Sequence, residues 1–434
     1  MSLNKIKFEN CQVKKAIVSS NSLDSEVDLR KCIQCEYEES LFNDTVQVNF
    51  IVANVAGTTN GSTLMEGLPL VGTEDFNLVI ADPSDNIIDV KLNVNKVTPI
   101  RKDTQQEQIG LTLTSEEYIR NEERQAAVVK RYDGKVSLHI EDILIENLKT
   151  EKDLYIDDTS NNYNFIGNVR KPLYVINWLA KKSIPSSDAK KGDSAGFMFY
   201  ETSEGFHFKS IDSLFAQEHV SSYIFSNTPD VLENTDQYDG VIVRMELDNR
   251  MIANQKYRMG TFSTKLIAFN PFNCEYKIIE QDASEADDGT THAGKNLPIL
   301  NEKFNARSTR TTYVLKDVGT LPTGKDPREQ VKKHEEETFE VEAILNQAAR
   351  RYNQMILGAV KIDIAPNFSL HAGDCVFIDV PDTGGGSTDK FVSGKYLIAT
   401  CKHAIRAGKG VTKLLLIRDS VGRKGKPHSG SMVN

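Results

Sequence analysis

The sequence has 434 residues, of which 39% are hydrophobic and one is tryptophan; this length predicts about three domains with ordinary soluble cores. The formal net charge of −9 argues against a surface devoted to nucleic-acid phosphates, because such surfaces cluster Lys and Arg. No apolar run of about 18 residues occurs, so a membrane-spanning helix is not predicted. The first residues, MSLNKIKFENCQVKK, lack the apolar core and cleavage site of a secretory signal, and we expect synthesis in a cytoplasm.

The N-terminal part of the chain, residues 5–115, is predicted to be mainly β. Three apolar or alternating runs are typical of strands; they are VQVNFIVANV, FNLVIADP and IIDVKLNVNKV. The turn ADPSDN separates the last two runs, since Pro restricts φ and the Asp and Asn side chains bond their own backbone. We interpret Gly57–Thr63 as an exposed hairpin tip and not as a phosphate-binding loop, because no Lys-Ser/Thr pair follows it.

Cys32 and Cys35 form a CxxC pair, which can indicate a zinc or redox site. No second CxxC or CxxH pair supplies the remaining ligands of a tetrahedral zinc ion. The surrounding residues, LRKCIQCEYEES, also predict a strand, in which positions three apart face opposite ways. We therefore predict that the two thiols are structural and that the six cysteines of the chain are free.

From residue 115 onward the pattern changes to helices. Ser115, followed by two glutamates, predicts the start of a helix that continues to Tyr132. A second helix begins at Ser137 and has apolar residues close to helical spacing; they are Leu138, Ile140, Ile143, Leu144 and Leu148. Pro172 opens a third helix, because proline is well tolerated in a first turn. We interpret Trp178 in this helix as core packing and not as a ligand-stacking residue.

Two short aromatic strands follow in GFMFYETSEGFHFKSI, residues 196–211. The residues Thr-Ser-Glu-Gly between them predict a hairpin, in which Gly205 can take a positive φ. An alternative is that Tyr200, Phe206 and Phe208 stack on bases. Lys209 is the only Lys or Arg among these aromatic residues, so we favour packing across the hairpin.

Polar segments separate this hairpin from the next helix. Residues 280–296 are acidic but lack the alternating oxygen ligands and final Glu of a calcium loop, so we expect a solvated insertion. His334 is followed by two glutamates, but no second histidine stands at metalloprotease spacing. A helix is predicted from about Phe339 to Met355, with one apolar stripe; the stripe consists of Val341, Ile344, Leu345, Ala348 and Tyr352.

The last part of the chain is again predicted to be β, with four strands separated by turn residues; they are GAVKIDIAP, GDCVFIDVP, GKYLIATCKHAI and VTKLLLIRDS. Strict alternation divides the third strand into two faces; they are Leu397, Ala399, Cys401 and His403 on one, and Tyr396, Ile398, Thr400 and Lys402 on the other. A thiolate–imidazole pair is therefore sterically compatible with the strand. We favour a structural role, with His403 near the strand end and reaching solvent.

Glycines and charges flank these last strands. Gly408-Lys409-Gly410 is predicted to form the final turn. Valine at Gly394 or Gly410 is expected to impair folding, because β-branched residues resist the φ values of such turns. Arg418 and Asp419 are expected to form a strand-end ion pair or to contact a neighbouring subunit.

The order of these segments resembles the central baseplate hub proteins of contractile-tailed bacteriophages, namely the T-even hub and its relatives. The last two strands, preceded by a Gly-Asp strand that ends in proline, are similar to the closing part of that family. The helix within 166–184 followed by the hairpin, and the strand that enters two helices within 111–144, are similar to earlier parts. The similar segments extend from 110 to 420 in the same order, whereas residues 281–337 match none of them.

The resemblance implies an α+β, multi-domain fold with two tail-tube-like β-barrel or sandwich domains and a helical, hairpin-containing middle region. The implied division is a first tube-like domain, a middle domain, a mixed segment contributing to the second barrel, and the C-terminal strands of that barrel; the limits are 1–115, 116–230, 231–355 and 356–425. It also implies a structural subunit without catalytic, cofactor-binding or metal-binding residues. Three subunits would form a ring that adapts the sixfold tail tube to the threefold central spike.

Such a homotrimer would contact the central spike protein, the tail tube or tube-initiator protein, and other baseplate proteins. DNA would meet it only in transit, and a net charge of −9 suits a conduit, because an acidic lumen does not hold phosphates. The protein is thus expected in the tail baseplate of the virion, after synthesis in the cytoplasm of the bacterial host and without membrane insertion.

Two other functions remain open from the sequence. A tail-associated peptidoglycan hydrolase or peptidase would need an acid pair or a metal triad in a cleft, whereas the hub of a phage-like contractile secretion system would share the same fold. The structural or interface candidates occupy turns, aromatic positions or strand ends; they are Trp178, Gly205, Phe206, Phe208, Gly394, Tyr396, His403, Gly410, Arg418 and Asp419.

Overall fold

The computed structural model describes residues 10–21, 26–55, 70–102, 106–186, 195–225, 237–248, 253–271, 274–282, 290–295, 297, 301, 310–316, 326–329, 332, 341–382 and 388–429. The predicted hairpin tip at Gly57–Thr63 and the motif that begins at His334 lie outside the described residues. Eight of the 17 residues of the acidic insertion, 283–289 and 296, also lie outside them.

The N-terminal region folds into a β unit, as its alternating pattern predicts. Within the described residues this unit has seven strands; they are β1 (Gln12–Ser19), β2 (Glu26–Asp28), β3 (Cys32–Ser40), β4 (Gln47–Val55), β5 (Asp75–Ala81), β6 (Ile87–Lys102) and β7 (Gln106–Thr114). Neighbouring strands follow the order β3-β4-β7-β6-β5-β1-β2 and are antiparallel. Alternate side chains such as Val48 and Phe50 point into one apolar core. The carboxylate of Asp82 accepts the backbone N–H groups of Ser84 and Asn86, at 2.8 and 2.9 Å, which confirms the turn before β6.

The middle region combines short helices with a hairpin. Its elements are α1 (Glu116–Arg120), β8 (Arg131–Tyr132), α2 (Val136–Asp142, continued by a wider π-type turn at Ile143–Asn147), β9 (Asp153–Ile156), β10 (Phe165–Ile166), α3 (Pro172–Ala180), β11 (Phe197–Thr202), β12 (Gly205–Ser210) and α4 (Ile211–Ala216). The predicted hairpin is confirmed as β11 and β12, and β9 joins β12 in parallel. The apolar sides of α2 and α3 share one core with the aromatic residues of the hairpin.

Three details of the predicted helices are wrong. The first helix ends at Arg120, since Val128 and Tyr132 pair with the segment 165–170 instead of continuing the helix. Ser115 does not cap α1, because its hydroxyl donates to a buried carboxylate on β11. In α2, Leu138 is 55% exposed, whereas the other residues of its predicted stripe are buried.

The C-terminal half contains the remaining elements; they are β13 (His219–Phe225), β14 (Gly240–Asp248), α5 (Ala253–Met259), β15 (Ser263–Phe269), β16 (Tyr276–Asp282), β17 (Arg310–Leu315), α6 (Val341–Met355), β18 (Gly358–Ile364), β19 (Cys375–Asp379), β20 (Gly394–Arg406) and β21 (Lys409–Arg418). Helix α6 and the four final strands are confirmed. Strand β13 was not predicted from the sequence.

Six of the described strands in this half close into a barrel. Their order is β19-β13-β14-β18-β21-β20, and β20 pairs back with β19. Side chains from all six strands form one apolar cluster inside it. The fold is therefore α+β, with a β unit, a helical and hairpin-containing middle region, and a six-stranded barrel.

The two β units share one strand order. The series β3-β4-β7-β6-β5-β1 in the first corresponds, in chain order, to β14-β18-β21-β20-β19-β13 in the second. All corresponding pairs are antiparallel in both units but one. β1 is antiparallel to β5, whereas its counterpart β13 is parallel to β19. In the described structure β3 also pairs with β20, so both units belong to one continuous sheet of 13 strands.

A β-bulge overturns the predicted faces of β20. The register shifts at Ala399, because a bulge inserts one unpaired residue and reverses the alternation beyond it. Cys401 therefore joins Ile398 inside the barrel, whereas Leu397 and Ala399 belong to the cluster outside it.

A second bulge corrects the argument about the CxxC pair. The register of β3 shifts at Ile33, so Cys32 and Cys35 contact the same core and do not face opposite ways. Both thiols are free, as predicted, and Cys35 is fully buried.

The final turn also differs from the prediction. Ala407 and Gly408, with φ of 48° and 78°, occupy it, and Gly410 lies within β21. A Cβ on Gly410 would overlap Sγ of Cys11, so close approach and not φ makes this position sensitive. Gly394 has a φ of 139°, which side chains resist, as predicted.

The turn of the central hairpin provides a stability test. Gly205 has a φ of 147°, and a Cβ there would overlap the carbonyl oxygen of Asp153 on β9. Gly134 has a φ of 118° but no atom within 4 Å of its Cβ position. We expect Gly205→Ala to lower the free energy of unfolding by about 3 kcal/mol and Gly134→Ala by about 1 kcal/mol. Urea unfolding followed by Trp178 fluorescence measures both; equal losses would contradict the role of close approach.

Candidate functional site

Cys401 and His403, near the end of the chain, suggested a reactive pair, and both are fully buried. Cys401 Sγ lies 3.4 Å from His403 Nε2. His403 is 0% exposed, contrary to the expectation that it reaches solvent, because its ring is packed between side chains, one of them Tyr37 directly opposite it on β3. Its Nδ1 lies 3.0 Å from Thr412 Oγ1, and its ring contacts those of Tyr37 and Phe368.

Burial sets the protonation of this pair. It lowers the pKa of His403 to about 4 and raises that of Cys401 well above its usual range. At neutral pH the two groups are therefore an uncharged imidazole and an uncharged thiol. A cysteine nucleophile needs a thiolate in a charged and accessible environment, so this geometry favours packing over catalysis.

Glu39, Glu201 and Asp419 are at most 2% exposed, and each joins separate parts of the chain; Glu39 lies near the end of β3. It is 0% exposed and accepts hydrogen bonds from the Tyr37 hydroxyl and from the backbone N–H groups of Ser203 and Ala372, each at 2.9 Å. His371 Nδ1 lies 3.1 Å from Glu39 Oε1. The first β unit, the hairpin turn and the loop before β19 therefore meet at one carboxylate.

His371 and Glu39 form a buried ion pair. Burial opposes the charged form of His371, but the hydrogen bond and charge of Glu39 raise its pKa to about 9. Burial also opposes ionisation of Glu39, yet His371 and two backbone N–H groups bring its pKa below the usual value. Nearby Asp374 behaves differently, because burial raises its pKa to about 6. At neutral pH the pair carries opposite charges.

Glu201 on β11 is the second of these carboxylates. It accepts hydrogen bonds from the backbone N–H of Val46 at 2.9 Å, from Ser115 Oγ at 2.5 Å and from Lys152 Nζ at 2.6 Å. Lys152 also reaches Glu117 at 2.7 Å. Burial raises the pKa of Glu201, whereas the charge of Lys152 opposes that shift. This cluster joins the first β unit, α1 and the hairpin.

Asp419, directly after β21, is the third. Arg351 Nη1 donates to it at 3.0 Å, His292 Nδ1 lies at 2.7 Å, and the backbone N–H of Ala293 donates at 3.0 Å. Burial opposes ionisation, but His292 and Arg351 together lower the pKa of Asp419 to about 2. Arg351 also donates to Asp212 at 2.6 Å, so α4, α6 and the second barrel meet here.

The predicted ion pair between Arg418 and Asp419 does not form. Successive strand residues face opposite ways, and Asp419 pairs with Arg351 while Arg418 lies over the Tyr396 ring, 4.8 Å from its centre. Burial lowers the pKa of Arg418. Arg418 and Asp419 are 6% and 0% exposed, which leaves neither available to a neighbouring subunit.

The aromatic candidates are core residues. Phe206 and Phe208 are 0% exposed and stack on Phe199 and Phe197, with ring centres 5.6 and 4.7 Å apart. This geometry agrees with packing across the hairpin and leaves no face for a base. Trp178 lies edge-on to two aromatic rings of the same core.

Sequence reasoning missed Glu39, although its strand contained a signal. Alternation in CEYEES places Glu39 on the same face as Cys35 and Tyr37, which is the core face, where a carboxylate is unexpected. Its partner His371 lies 332 residues away, and no local pattern connects the two.

The described part of the chain contains no group of three His, Cys, Asp or Glu side chains that could hold a metal ion. Among the helices that the structure describes, none combines the length and apolar character that crossing a bilayer requires.

A cavity of about 320 Å³ lies between the β3–β4 turn, α3, β11 and α6. Its lining is mainly apolar, and Asp44 at its edge accepts a hydrogen bond from Asn177 at 2.7 Å.

The fold is similar to that of solved tail proteins. The 43 kDa tail protein of prophage MuSo2 from Shewanella oneidensis matches with a TM-score of 0.54 and 10% identity, over 94% of this chain and 98% of that one. The tail protein from Neisseria meningitidis MC58 matches with a TM-score of 0.52 and 10% identity, over 93% and 96%. No protein-family model and no curated protein matches the sequence. The resemblance inferred from the sequence is thus confirmed at the level of the fold.

The pair of His371 and Glu39 predicts a pH-dependent stability. The folded-state pKa of His371 is raised from 6.5 to about 9, so its contribution is complete below pH 6.5 and is lost as the pH rises through 9. The pKa of Glu39 is lowered, so its contribution is lost as the pH falls below 4.5. The destabilisation caused by His371→Gln is therefore expected to be about 2–3 kcal/mol larger at pH 6 than at pH 10.

His207→Gln is the matched control, because burial lowers the pKa of His207 to about 4 and this ring is neutral at both pH values. In the unfolded chain His207 protonates below pH 6.5, so His207→Gln should be less destabilising at pH 6 than at pH 10 by about 1 kcal/mol, a change opposite in sign to that of His371→Gln. Urea unfolding of the wild type and both variants provides the measurement. A His371→Gln effect that is equal at the two pH values would show that no ion pair stabilises this junction.

Proposed function

We propose that this protein is a structural subunit of a phage tail baseplate hub. Three copies form a ring that connects the sixfold tail tube to the threefold central spike and leaves a channel for DNA. The protein acts by positioning its partners and not by catalysis. It is located in the tail of the virion.

The shared strand order of the two β units is the observation that carries this proposal. A chain with two units of the same topology gives a ring of three copies six similar units around one axis. A threefold ring can then offer equivalent contacts to a sixfold tube. The tail proteins of similar fold support the same assignment, since that fold occurs in proteins of phage tails.

The buried charges support a structural role. Glu39, Glu201 and Asp419 are at most 2% exposed, and each interacts with at least three polar groups. A catalytic acid or base has to reach the proton that it transfers, whereas these groups are occupied by the chain itself. They fix the junctions between segments and have no free access to a substrate.

The proposal also includes partners and domain limits. One end of the ring binds the tail tube or a tube-initiator protein, the other end binds the spike, and further baseplate proteins surround it. The division at 1–115, 116–230, 231–355 and 356–425 is retained, except that β13 is assigned to the second barrel with which it pairs.

Native mass measurement of the purified chain tests this function. We expect a species of three times the 48.5 kDa of one chain, either alone or after addition of a central spike protein. Peptidoglycan zymography of the same preparation should show no clearing. A monomer under both conditions, or a closed assembly of two or four copies, would contradict the hub, and clearing would favour a hydrolase.

A further inference from the structure

A small sheet next to α6 has one exposed apolar face. β15 lies at its centre, with β16 antiparallel on one side and β17 parallel on the other. Leu266 and Ala268 of β15 are buried, and α6 packs against this sheet. The opposite face, here named the β15–β17 face, carries five exposed large apolar side chains; they are Phe269 (39% exposed), Tyr276 (69%), Ile278 (47%), Tyr313 (76%) and Leu315 (66%).

The strand register gathers these side chains into one surface. Two rows of paired residues cross the three strands; they are Tyr276–Phe269–Leu315 and Ile278–Ile267–Tyr313. Residues directly opposite each other in a sheet share a face, so the rows are adjacent and continuous. A third row borders them, in which Lys265 Nζ lies 2.8 Å from Glu280 Oε1.

The β15–β17 face exposes enough apolar area to form much of one side of a protein–protein interface. With about 200 Å² for each fully exposed aromatic side chain, the five side chains together expose roughly 500 Å². Monomeric proteins rarely leave more than a few hundred Å² of contiguous apolar surface in water. A stable interface buries about 800 Å² on each partner, so this face supplies more than half of one side.

Charge indicates which partner fits. Two copies of a chain with net charge −9 repel each other, so contact between them requires apolar area and locally balanced charges. The border of the β15–β17 face has both signs, in Lys265 and Glu280. Lys265 and Glu280 neutralise each other within one copy, so this border adds no like-charge repulsion to a contact with a second copy. A partner attracted by opposite net charge would favour a border of one sign.

We propose that the β15–β17 face is a contact surface between neighbouring copies of this chain. This inference rests on the proposed ring of three and names the surface through which the ring closes. In a closed head-to-tail ring, every copy places this face against a different surface of the next copy. Each ring therefore buries three such faces.

The double variant Tyr313→Lys with Leu315→Lys, made in the full chain, tests the proposal. Two ammonium groups placed in a desolvated contact should raise the dissociation constant of the trimer by at least ~100-fold. The fold of one copy should not change, because both side chains are more than 60% exposed within the chain. Sedimentation velocity across a concentration series gives the dissociation constant, and circular dichroism with thermal unfolding verifies the fold.

Phe391→Lys is the matched control, because Phe391 is 73% exposed, lies in the loop before β20 and is not part of the β15–β17 face. This variant should associate as the wild type does. A trimeric wild type with an equally trimeric double variant overturns this inference and leaves the proposed hub intact. A monomeric wild type overturns both, and a wild-type dimer that the double variant loses supports the contact but overturns the ring.

Discussion

The pairing of β20 with β3 is the constraint on which the rest of the structure depends. β20 starts in the six-stranded barrel and ends against the first β unit, where seven residue pairs connect Thr400–Arg406 with Gln34–Ser40. Ladder hydrogen bonds join main chains whatever their side chains, so two units of unrelated sequence can share them. This pairing covers an edge that would otherwise be open to another chain, and it makes one sheet of two units.

A ladder alone does not specify its register, and we infer that Glu39 does so here. Glu39 lies opposite Cys401 in the pairing, and a slip of one residue would move it to the other face of the sheet. Its ion pair with His371 would then be broken and a charge would remain buried without a partner, which costs about 3–5 kcal/mol. A buried ion pair adds little net stability, but it strongly penalises the wrong alignment.

Local signals explain which parts of this fold could be predicted. The hairpin turn, helix α6 and the positions of the final strands depend on short-range patterns and were predicted correctly, whereas the faces of β20 were not. β13 was missed because its place is set by β19, which pairs with it in parallel and lies 155 residues further along the chain, as in the pair Ile224 and Asp379. The bulges at Ile33 and Ala399 are properties of the paired ladder and leave no trace in one strand alone.

The clusters around the buried carboxylates could likewise be predicted only in part from the sequence. Glu39 and Glu201 could be recognised as carboxylates at core-facing positions, but their partners come from other segments. The first helix was overpredicted for a related reason, since pairing of Val128 and Tyr132 with a distant strand outweighed the helical tendency of the segment. Sequence patterns therefore identified elements, whereas the junctions between elements required the tertiary structure.

The second β unit is a closed barrel and the first is not, and this difference follows from how the two units are joined. The second unit closes on itself because β13 pairs with both β14 and β19. A first unit closed in the same way would have no edge left for β20, and the two units could not then share one sheet. The far edge of the first unit is β2, which has three residues, two of them acidic, and such an edge resists pairing with another strand. Within the described structure, this edge of the long sheet therefore does not favour strand pairing with another copy, and an exposed apolar sheet face offers a contact through side chains instead.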